Sequence, residues 1–244
     1  MGVEWIGLMT FGVFVIAVMY STVGHAGASG YIAVMSLFSV APDDLKPAAL
    51  SLNILVAIIG ISQFYKAGHV KWKFTWPFIV LSIPAAFLGG YINLPSTVFT
   101  MLVGLILLFS GIRFIFRTHE PDQVKAVSKT KRISSGAGIG FLAGLTGTGG
   151  GIFLSPLILL MKWAPVKVTA GTAIVFILAN SIFGLAGNYT ATLTLPGFIL
   201  PLAGAVIAGG FVGSYLGSKK LDDIIIKRTL SIVLFIAGVK LILT

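Results

Sequence analysis

The stretch LTGTGGGIFLSP, from Leu145 to Pro156, places four glycines within five residues in the middle of an apolar segment. Glycine is the poorest helix former among the ordinary residues, because its backbone loses the most freedom when it becomes ordered. A continuous helix would not use Gly147 and then Gly149, Gly150 and Gly151 in this place. The pattern therefore predicts a break in the helix, at a point where the backbone must stay free of side chains.

Composition predicts the surroundings of this break. Of the 244 residues, 57% are hydrophobic and 10% are charged, against roughly 25% charged in a soluble domain. Apolar runs of about 18 to 22 residues are each long enough to cross the hydrocarbon of a bilayer; they lie at about 5–22, 47–65, 74–93, 97–116, 168–187, 196–217 and 224–243. Shorter runs lie near 30–40, 134–145 and 150–162. We therefore expect an all-α integral membrane protein with the lipid bilayer as its partner.

The net charge of +10 is unevenly distributed along the chain. Fifteen of the seventeen basic residues form four clusters, and the segments 93–97 and 188–196 between them carry no charge. The clusters are Lys66, Lys71 and Lys73; Arg113, Arg117, Lys125, Lys129, Lys131 and Arg132; Lys162 and Lys167; and Lys219, Lys220, Lys227 and Arg228. The positive-inside rule places all four in the cytoplasm. The basic excess then reports topology in the cytoplasmic membrane rather than nucleic-acid binding, with both termini outside.

This topology constrains the glycine-rich stretch. Residues near 132 and near 162–167 would lie on the same side of the membrane, so the chain between them must enter and return. We expect a re-entrant pair of half-helices, about 134–145 and 150–162, with the glycines at its tip. Irregular backbone at that depth is tolerated only when it is buried in protein or lines a cavity. The tip is therefore expected to line a cavity.

An internal repeat supports this expectation. The stretch Ser21 to Leu37 aligns with Phe141 to Leu157, matching Gly24, Gly27 and Gly30 with Gly144, Gly147 and Gly150. Other matches follow in order at an offset of 120 to 127 residues, among them Pro77, Gly89 and Tyr91 with Pro201, Gly213 and Tyr215. The predicted units are a first repeat at 1–117, a basic cytoplasmic linker at 118–133 and a second repeat at 134–244. Each repeat would be one broken hairpin and three transmembrane helices, and the odd number of crossings makes the two copies inverted, as in many secondary transporters. Residues 5–22 are long enough to be a full crossing instead of half a hairpin.

These motifs resemble one family along essentially the whole chain. Two glycine-rich repeats of the type GLTGTGGGIFLSPLILL, each followed by a helix such as VTAGTAIVFILANS, are similar to the sulfite exporter TauE/SafE family, also called the toluene sulfonate uptake permease family. The first copy departs from the glycine triplet and has Ser36 where the second has Pro156. The resemblance implies transport of small sulfur-containing anions, mostly sulfite and sulfonates, in either direction across a prokaryotic cytoplasmic membrane.

The physical chemistry of the motif is compatible with that function. A half-helix that begins at the glycines directs unpaired N–H groups and about half a positive charge into the membrane interior. Glycine lets an anion approach these amides closely. Two such N-termini, near Ser29 to Tyr31 and near Gly149 to Ile152, would face each other across the midplane. The alternative is that the glycines only permit close helix packing, which we favour for Ala205, Gly209, Gly213 and Gly217 but not for 147–151.

Several polar residues complete the candidate substrate site. His25 is a candidate for proton coupling, although a structural histidine fits the pattern equally well. Hydroxyls beside the glycines serve either the substrate or the backbone, and amides within spans need partners. Thr172 matches a position where the family carries a polar residue. The full set is Gly24, His25, Gly27, Ser29, Gly30, Tyr31, Asn53, Thr146, Gly147, Thr148, Gly149, Gly150, Gly151, Thr172 and Asn180.

Enzymatic functions fit the sequence poorly. The glycine motifs have no preceding soluble strand, no P-loop lysine and no acid some 20 residues on, which argues against a nucleotide site. The scattered His25, His69 and His119 do not make a metal cluster, and the absence of cysteine removes thiolate chemistry. We therefore expect a secondary anion transporter without cofactor, metal or catalytic residues. A passive anion channel of the same architecture remains the alternative, and the oligomeric state is left open.

Overall fold

The computed structural model describes residues 3–92, 124–192 and 198–243, together with Leu108 and Ile112. Within these ranges the chain forms helices and no strand, which confirms the all-α expectation. In chain order the helices are α1 (Val3–Thr22), α2 (Ala28–Leu37), α3 (Pro42–Lys66), α4 (Trp72–Val80), α5 (Ser82–Tyr91), α6 (Lys129–Thr146), α7 (Gly151–Leu160), α8 (Val166–Thr192), α9 (Ile199–Tyr215) and α10 (Asp223–Leu243), with a π-helical turn at Leu216–Lys220 between the last two. The predicted span at 97–116, the loop 93–97, His119 and most of the linker 118–133 lie outside the described residues.

Four helical segments are long and apolar enough to cross a membrane: Trp5–Thr22, Asp43–Lys66, Val166–Ala191 and Ile199–Lys220. The pair α4 and α5 makes a fifth if it counts as one span bent by 40°. The bend has a local cause, because Pro84 has no N–H to donate to the carbonyl of Val80. α10 has 21 residues and carries Lys227, Arg228 and Lys240 in its first and last thirds, so it is not counted with these four. The described helices therefore support a multi-pass membrane protein.

Two helical hairpins contain the glycine-rich motifs. Hairpin 1 consists of α1, a turn at 23–27 and α2; hairpin 2 consists of α6, a turn at 147–150 and α7. α2 and α7 have 10 residues each, so each rises only about 15 Å at 1.5 Å per residue. The two ends of each hairpin lie close together: the rings of Trp5 and Phe38 are 6.0 Å apart, and the N–H of Lys125 donates to the carbonyl of Lys162 at 2.8 Å.

The backbone of the two turns matches in a different register from that predicted. Gly24 and Gly147 have φ of 72° and 70°, and Gly27 and Gly150 have φ of 108° and 84°, so equivalent positions are 123 residues apart, not 120. Gly144, which the sequence alignment paired with Gly24, lies within α6. The alignment slipped by three because the glycines recur every three residues in both copies, and a shift by three again matches glycine with glycine.

Glycine stripes hold the hairpins against neighbouring helices. α6 packs along α4 and α5, where a Cβ on Gly136, Gly140 or Gly144 would overlap the backbone of Phe78, Ser82 or Ala86. α1 packs along α9 in the same way, with Gly209, Gly213 and Gly217 against the backbone of residues 14–22. The packing role predicted for these last three glycines is confirmed. Bare backbone at these positions lets helices approach at a distance that side chains would prevent.

The basic clusters meet on one face of the bundle. Arg132 donates from Nη1 to the carbonyls of Lys73 and Phe74, at 3.0 Å each, and Pro77 leaves the Lys73 carbonyl without its helical donor. The ammonium of Lys129 lies 4.4 Å from the ring centroid of Trp76. Together with the bond between Lys125 and Lys162, these contacts join three clusters at a surface that we call the basic face.

His69 joins the fourth cluster to this face. Its Nε2 lies 3.0 Å from the carbonyl oxygen of Ser218 in the π-helical turn, and its own carbonyl rests on Gly171 of α8. Burial lowers the pKa of His69 below its usual value, with further lowering by Lys167 and Lys71, whereas the Ser218 carbonyl and Asp223 act in the opposite sense. The folded state therefore favours the neutral ring, and its contribution to stability is lost as the pH falls through and below the unfolded value of 6.5.

The packing of α6 is testable with two glycines of the same helix. A methyl group at Gly144 would overlap the carbonyl of Ala86, whereas one at Gly138 meets no atom within 4 Å. We expect Gly144→Ala to destabilise the protein by about 1–3 kcal/mol through overpacking, and Gly138→Ala to leave stability unchanged or slightly improved. The measurement is the apparent melting temperature in detergent. Equal melting temperatures for the two variants would contradict the assigned packing.

Candidate functional site

The tips of the two hairpins meet near the middle of the longest helices. α3 has 25 residues and α8 has 27, and the contacts with the tips come from Asn53 and Ile177, each close to the centre of its helix. Because α3 and α8 pack against each other, their centres define one region at which both hairpins end. This region lies about halfway along both long helices.

The glycines of hairpin 2 are required by conformation and by contact. Gly147, Gly149 and Gly150 all have positive φ, a region that other residues rarely adopt. A Cβ on Gly149 would lie 2.8 Å from Nδ2 of Asn53 and 2.9 Å from Oγ of Ser181. The bare backbone of the motif thus lies directly against polar side chains of α3 and α8.

Asn53 connects the two tips through its amide. Its Oδ1 accepts from the N–H of Ala28, the first residue of α2, at 3.0 Å. Its Nδ2 donates to the carbonyl of Thr148 at 3.4 Å and to Oγ of Ser181 at 3.3 Å. Asn53 and Ser181 are fully buried. One side chain therefore caps the half-helix of hairpin 1 and holds the turn of hairpin 2.

His25 makes the second link between the hairpins. Its Nε2 lies 2.8 Å from Oγ of Ser155 in α7, and its ring edge lies beside Gly151. The other ring nitrogen, Nδ1, is buried and has no hydrogen-bond partner in the described part of the chain. The histidine is therefore held in place through one of its two ring nitrogens.

The remaining predicted residues of hairpin 1 are used within it or against its neighbours. The hydroxyls of Tyr20 and Ser29 are 3.0 Å apart, and Tyr31 donates to the carbonyl of Ala26 at 2.5 Å. The ring of Tyr31 covers Gly27, while Gly24 lies on the backbone of Ala170 and Gly30 on Ile16. These contacts give the turn a defined shape.

In hairpin 2, the two threonines pair with each other. Oγ1 of Thr146 donates to the carbonyl of Leu142 at 2.7 Å and lies 2.8 Å from Oγ1 of Thr148. The hydroxyl hydrogen of Thr146 is thus used in a bond within α6, as the backbone-capping alternative predicted. Thr148 is buried and Thr146 is half-buried.

Two predicted residues bond away from the tips. Oγ1 of Thr172 lies 3.1 Å from that of Thr75 in α4. Asn180 donates to the carbonyl of Phe176 in its own helix at 2.7 Å, and its buried Oδ1 has no partner among the described residues. Asn180 is nevertheless near the tip, since Phe176 contacts Gly150 and Ser181 contacts Gly149.

Sequence reasoning missed Tyr20, Thr75, Ser155 and Ser181. Serine within an apolar helix carries little signal because it commonly bonds to its own backbone. Position offered a clue for Ser181, which lies one helical turn after Ile177 and so shares its face. No comparable signal marks Ser155 as the partner of His25, because the two are 130 residues apart.

The two half-helix N-termini are not equivalent. In α2 the first N–H is bonded to Asn53, whereas the corresponding position in α7 is Gly151, next to the apolar side chain of Ile177. The first N–H groups of any helix have no acceptor within that helix. The amides of Gly151 and Ile152, together with the helix dipole, form the electropositive end of the site, and no group of metal-ligating side chains occurs among the described residues.

Comparison with known proteins agrees with this architecture. Residues 9–241 match the family described as sulfite exporter TauE/SafE. "Probable membrane transporter protein y4hK" of Sinorhizobium fredii is 41% identical over 247 residues, covering 99% of this chain and 100% of that protein. "Probable membrane transporter protein MJ0441" of Methanocaldococcus jannaschii is 28% identical over 158 residues, covering 62% of this chain and 58% of that protein. No solved structure matches.

Fold, site and relatives together define a multi-pass membrane transporter. The chain belongs to the sulfite exporter TauE/SafE family. The resemblance drawn from the glycine motifs is thereby confirmed.

The role of Asn53 can be tested against a second asparagine. Asn53→Leu leaves the N–H of Ala28 and the carbonyl of Thr148 without this partner, which costs about 1–3 kcal/mol per buried group. Asn180→Leu removes only a bond within its own helix and an oxygen that has no partner, so we expect little loss. Apparent melting temperatures in detergent measure the difference. An Asn180→Leu variant as unstable as Asn53→Leu would show that Asn53 has no special role.

Proposed function

We propose that this chain is a secondary transporter that moves small sulfur-containing anions, sulfite or organosulfonates, across the cytoplasmic membrane. Two observations support the substrate class: the family is described as sulfite exporters, and the site offers backbone N–H groups without a competing carboxylate among its described residues. A small oxyanion has several acceptors for such donors, and amides bind it without the strong attraction of a fixed cation.

We further propose an inverted-repeat architecture. Two observations support equivalent halves. The turns match in geometry at a spacing of 123 residues, and the packing of α1 against α9 corresponds to that of α6 against α5. In this arrangement each half holds one re-entrant hairpin and three spanning helices, the third span of the first half falling in 97–116. The basic face is cytoplasmic by the positive-inside rule, which puts both termini outside.

The observation that supports this binding site is the close contact of Gly149 and Gly151 with side chains near the centres of α3 and α8. Gly149 lies against Asn53 and Ser181, and Gly151 lies beside His25. An anion seated at the N-terminus of α7 would meet the amides of Gly151 and Ile152 beside the ring of His25, with the hydroxyl of Thr148 three residues before Gly151. Gly147, Gly150 and the residues of hairpin 1 other than His25 shape this place without touching the anion.

Contact between the hairpins favours a carrier over a passive channel. The bond between His25 and Ser155 and the bridge through Asn53 join the tips across the path that a permanently open pore would need. A carrier exposes its site to one side at a time, and separating these contacts would be part of that change. Counterflow in proteoliposomes distinguishes the two mechanisms, because only a carrier accelerates labelled uptake when unlabelled substrate is present inside.

Anion binding is tested by thermal shift in detergent with sulfite, sulfate, thiosulfate, sulfoacetate, taurine and chloride. We expect at least one sulfur oxyanion or sulfonate to raise the melting temperature of the wild type, and chloride to have no effect. Gly149→Ala adds a methyl group against Asn53 and should abolish the shift. Thr148→Val removes one hydroxyl without backbone strain and should weaken it.

Gly138→Ala, on the open face of α6, is the control for the binding experiment and should respond as the wild type does. A wild type that responds to none of the sulfur anions would refute the proposed substrate class. A full response in Thr148→Val and in a folded Gly149→Ala would move the site away from the tip.

Proton coupling through His25 makes a separate prediction. We expect uptake or efflux of the anion in proteoliposomes to respond to an imposed pH gradient, and His25→Gln to lose that response because an amide can bond Ser155 but does not titrate in this range. Tyr31→Phe, also within hairpin 1, should keep it. If His25→Gln transports with the same pH response as the wild type, the histidine is a structural link between the hairpins.

A further inference from the structure

One basic side chain lies apart from the basic face. Among the side chains that the structure describes, every lysine and arginine except Lys46 belongs to one of the four clusters. Lys46 lies in the second turn of α3, at the end opposite the cluster of Lys66, Lys71 and Lys73. In the proposed topology this is the outer end of the helix.

Lys46 touches both hairpin 2 and the end of α5. Its Nζ donates to the carbonyl of Gly90 at 3.0 Å and to that of Ile92 at 3.5 Å. Its stem covers the turn of hairpin 2, since a Cβ on Gly147 would lie 2.8 Å from Cγ of Lys46. The half-buried side chain thus runs from the glycine tip to the last carbonyls of a helix.

Packing alone does not require a lysine at this place. The equivalent contact in the other half is made by Ala170, whose backbone lies against Gly24, whereas Lys46 lies against Gly147 mainly through the stem of its side chain. The two positions are 124 residues apart, in step with the spacing of the hairpin turns. A methyl side chain is therefore sufficient to seat a hairpin tip, and what the lysine adds is a long stem and a charge.

The two carbonyl oxygens that bind the Lys46 ammonium are weaker hydrogen-bond partners than an anion would be. Gly90 and Ile92 lie at the end of α5, where carbonyls have no helical donor and the dipole is negative. These neutral oxygens stabilise the ammonium, but a hydrogen bond between two ions is roughly twice as strong as one to a neutral group. An anion that comes within reach would replace them.

Two acidic residues near Lys46 restrict where an anion can bind on this side of the protein. Asp43 and Asp44 lie in the first turn of α3, with Asp43 exposed and Asp44 half-buried. They repel an anion at the rim, whereas Lys46 attracts it one turn deeper, beside Gly147. The charge is thus placed on the path between the glycine tip and the outer surface.

We propose that Lys46 is the anion-binding residue on the side opposite the basic face. With no anion present it binds the end of α5 and covers the tip of hairpin 2; when an anion passes between the tip and the outer side, the ammonium leaves the carbonyls of Gly90 and Ile92 and pairs with it. This assignment rests on the proposed transport of small anions.

The absence of cysteine from the chain permits a direct test of the charge. Lys46→Cys, reconstituted in proteoliposomes, is treated either with 2-aminoethyl methanethiosulfonate, which restores an ammonium on a stem of similar length, or with methyl methanethiosulfonate, which adds a neutral group. We expect the KM for the anion identified in the binding experiment to rise about tenfold or more in Lys46→Cys, as fits the loss of a charge-assisted bond. Treatment with the 2-aminoethyl reagent should return the KM to within about threefold of the wild type, and treatment with the methyl reagent should not.

Two further variants separate anion binding from helix capping. Lys46→Arg keeps the charge and should keep the KM, whereas Lys46→Gln can still donate to the carbonyls of α5 but should show the raised KM. Lys66→Cys, exposed at the other end of the same helix, receives both reagents as the control and should not respond. A lowered melting temperature with an unchanged KM in Lys46→Cys and Lys46→Gln would overturn the inference and leave Lys46 as a cap of α5.

The failure of this inference is distinct from the failure of the proposed function. If the wild type shows saturable transport of a sulfur anion and the charge at residue 46 has no effect on KM, only the role of Lys46 is refuted. If the wild type transports none of the anions tested, the proposed function is refuted and the role of Lys46 with it.

Discussion

The amide of Asn53 is the interaction on which the arrangement of the hairpins depends. Short helices such as α2 and α7 cannot span a bilayer on their own, so contacts with longer helices must hold their ends. Asn53 binds the first N–H of α2 with its oxygen and the turn of hairpin 2 with its nitrogen. Both groups are buried, and a buried donor or acceptor without a partner is costly. The position of both tips along α3 is thereby fixed by one side chain at the centre of that helix.

Glycine makes that arrangement sterically possible. Lipid tails are as apolar as the side chains of a membrane helix, so moving a side chain from lipid into a protein contact gains little free energy. Helices in a membrane therefore associate through close packing rather than through the hydrophobic effect. The stripes on α6 and α9 bring backbone against backbone, and the turn glycines bring the tip against Asn53 and Ser181. Glycine therefore serves two purposes in this chain. It lets the hairpins pack closely against neighbouring helices, and it leaves the backbone amides at the hairpin tips uncovered by side chains.

The sequence predicted the elements of this fold more successfully than their pairing. The run at 147–151 predicted the break because consecutive glycines are incompatible with a stable helix, and Asn53 was found because an amide within a span needs a partner. The register of the two turns was wrong by three, because the glycines are spaced by three and two of the three positions still match glycine with glycine after the shift. The unequal N-termini of α2 and α7 were also hidden: Asn53 has Ile177 as its counterpart, and such a difference becomes meaningful only when the tips are seen in contact with these helices.

The long separation between partners has a consequence for how the protein is made. His25 and Ser155 are 130 residues apart, and Asn53 and Ser181 are 128 apart, while Gly24 rests on Ala170. When the first half leaves the ribosome, Asn53 is available to the tip of hairpin 1, but Ser155 and the backbone of Ala170 have not yet been synthesised. Hairpin 1 can therefore complete these contacts only after the second half has been synthesised, which makes assembly of the two halves a late step of biogenesis rather than a sequence of independent insertions.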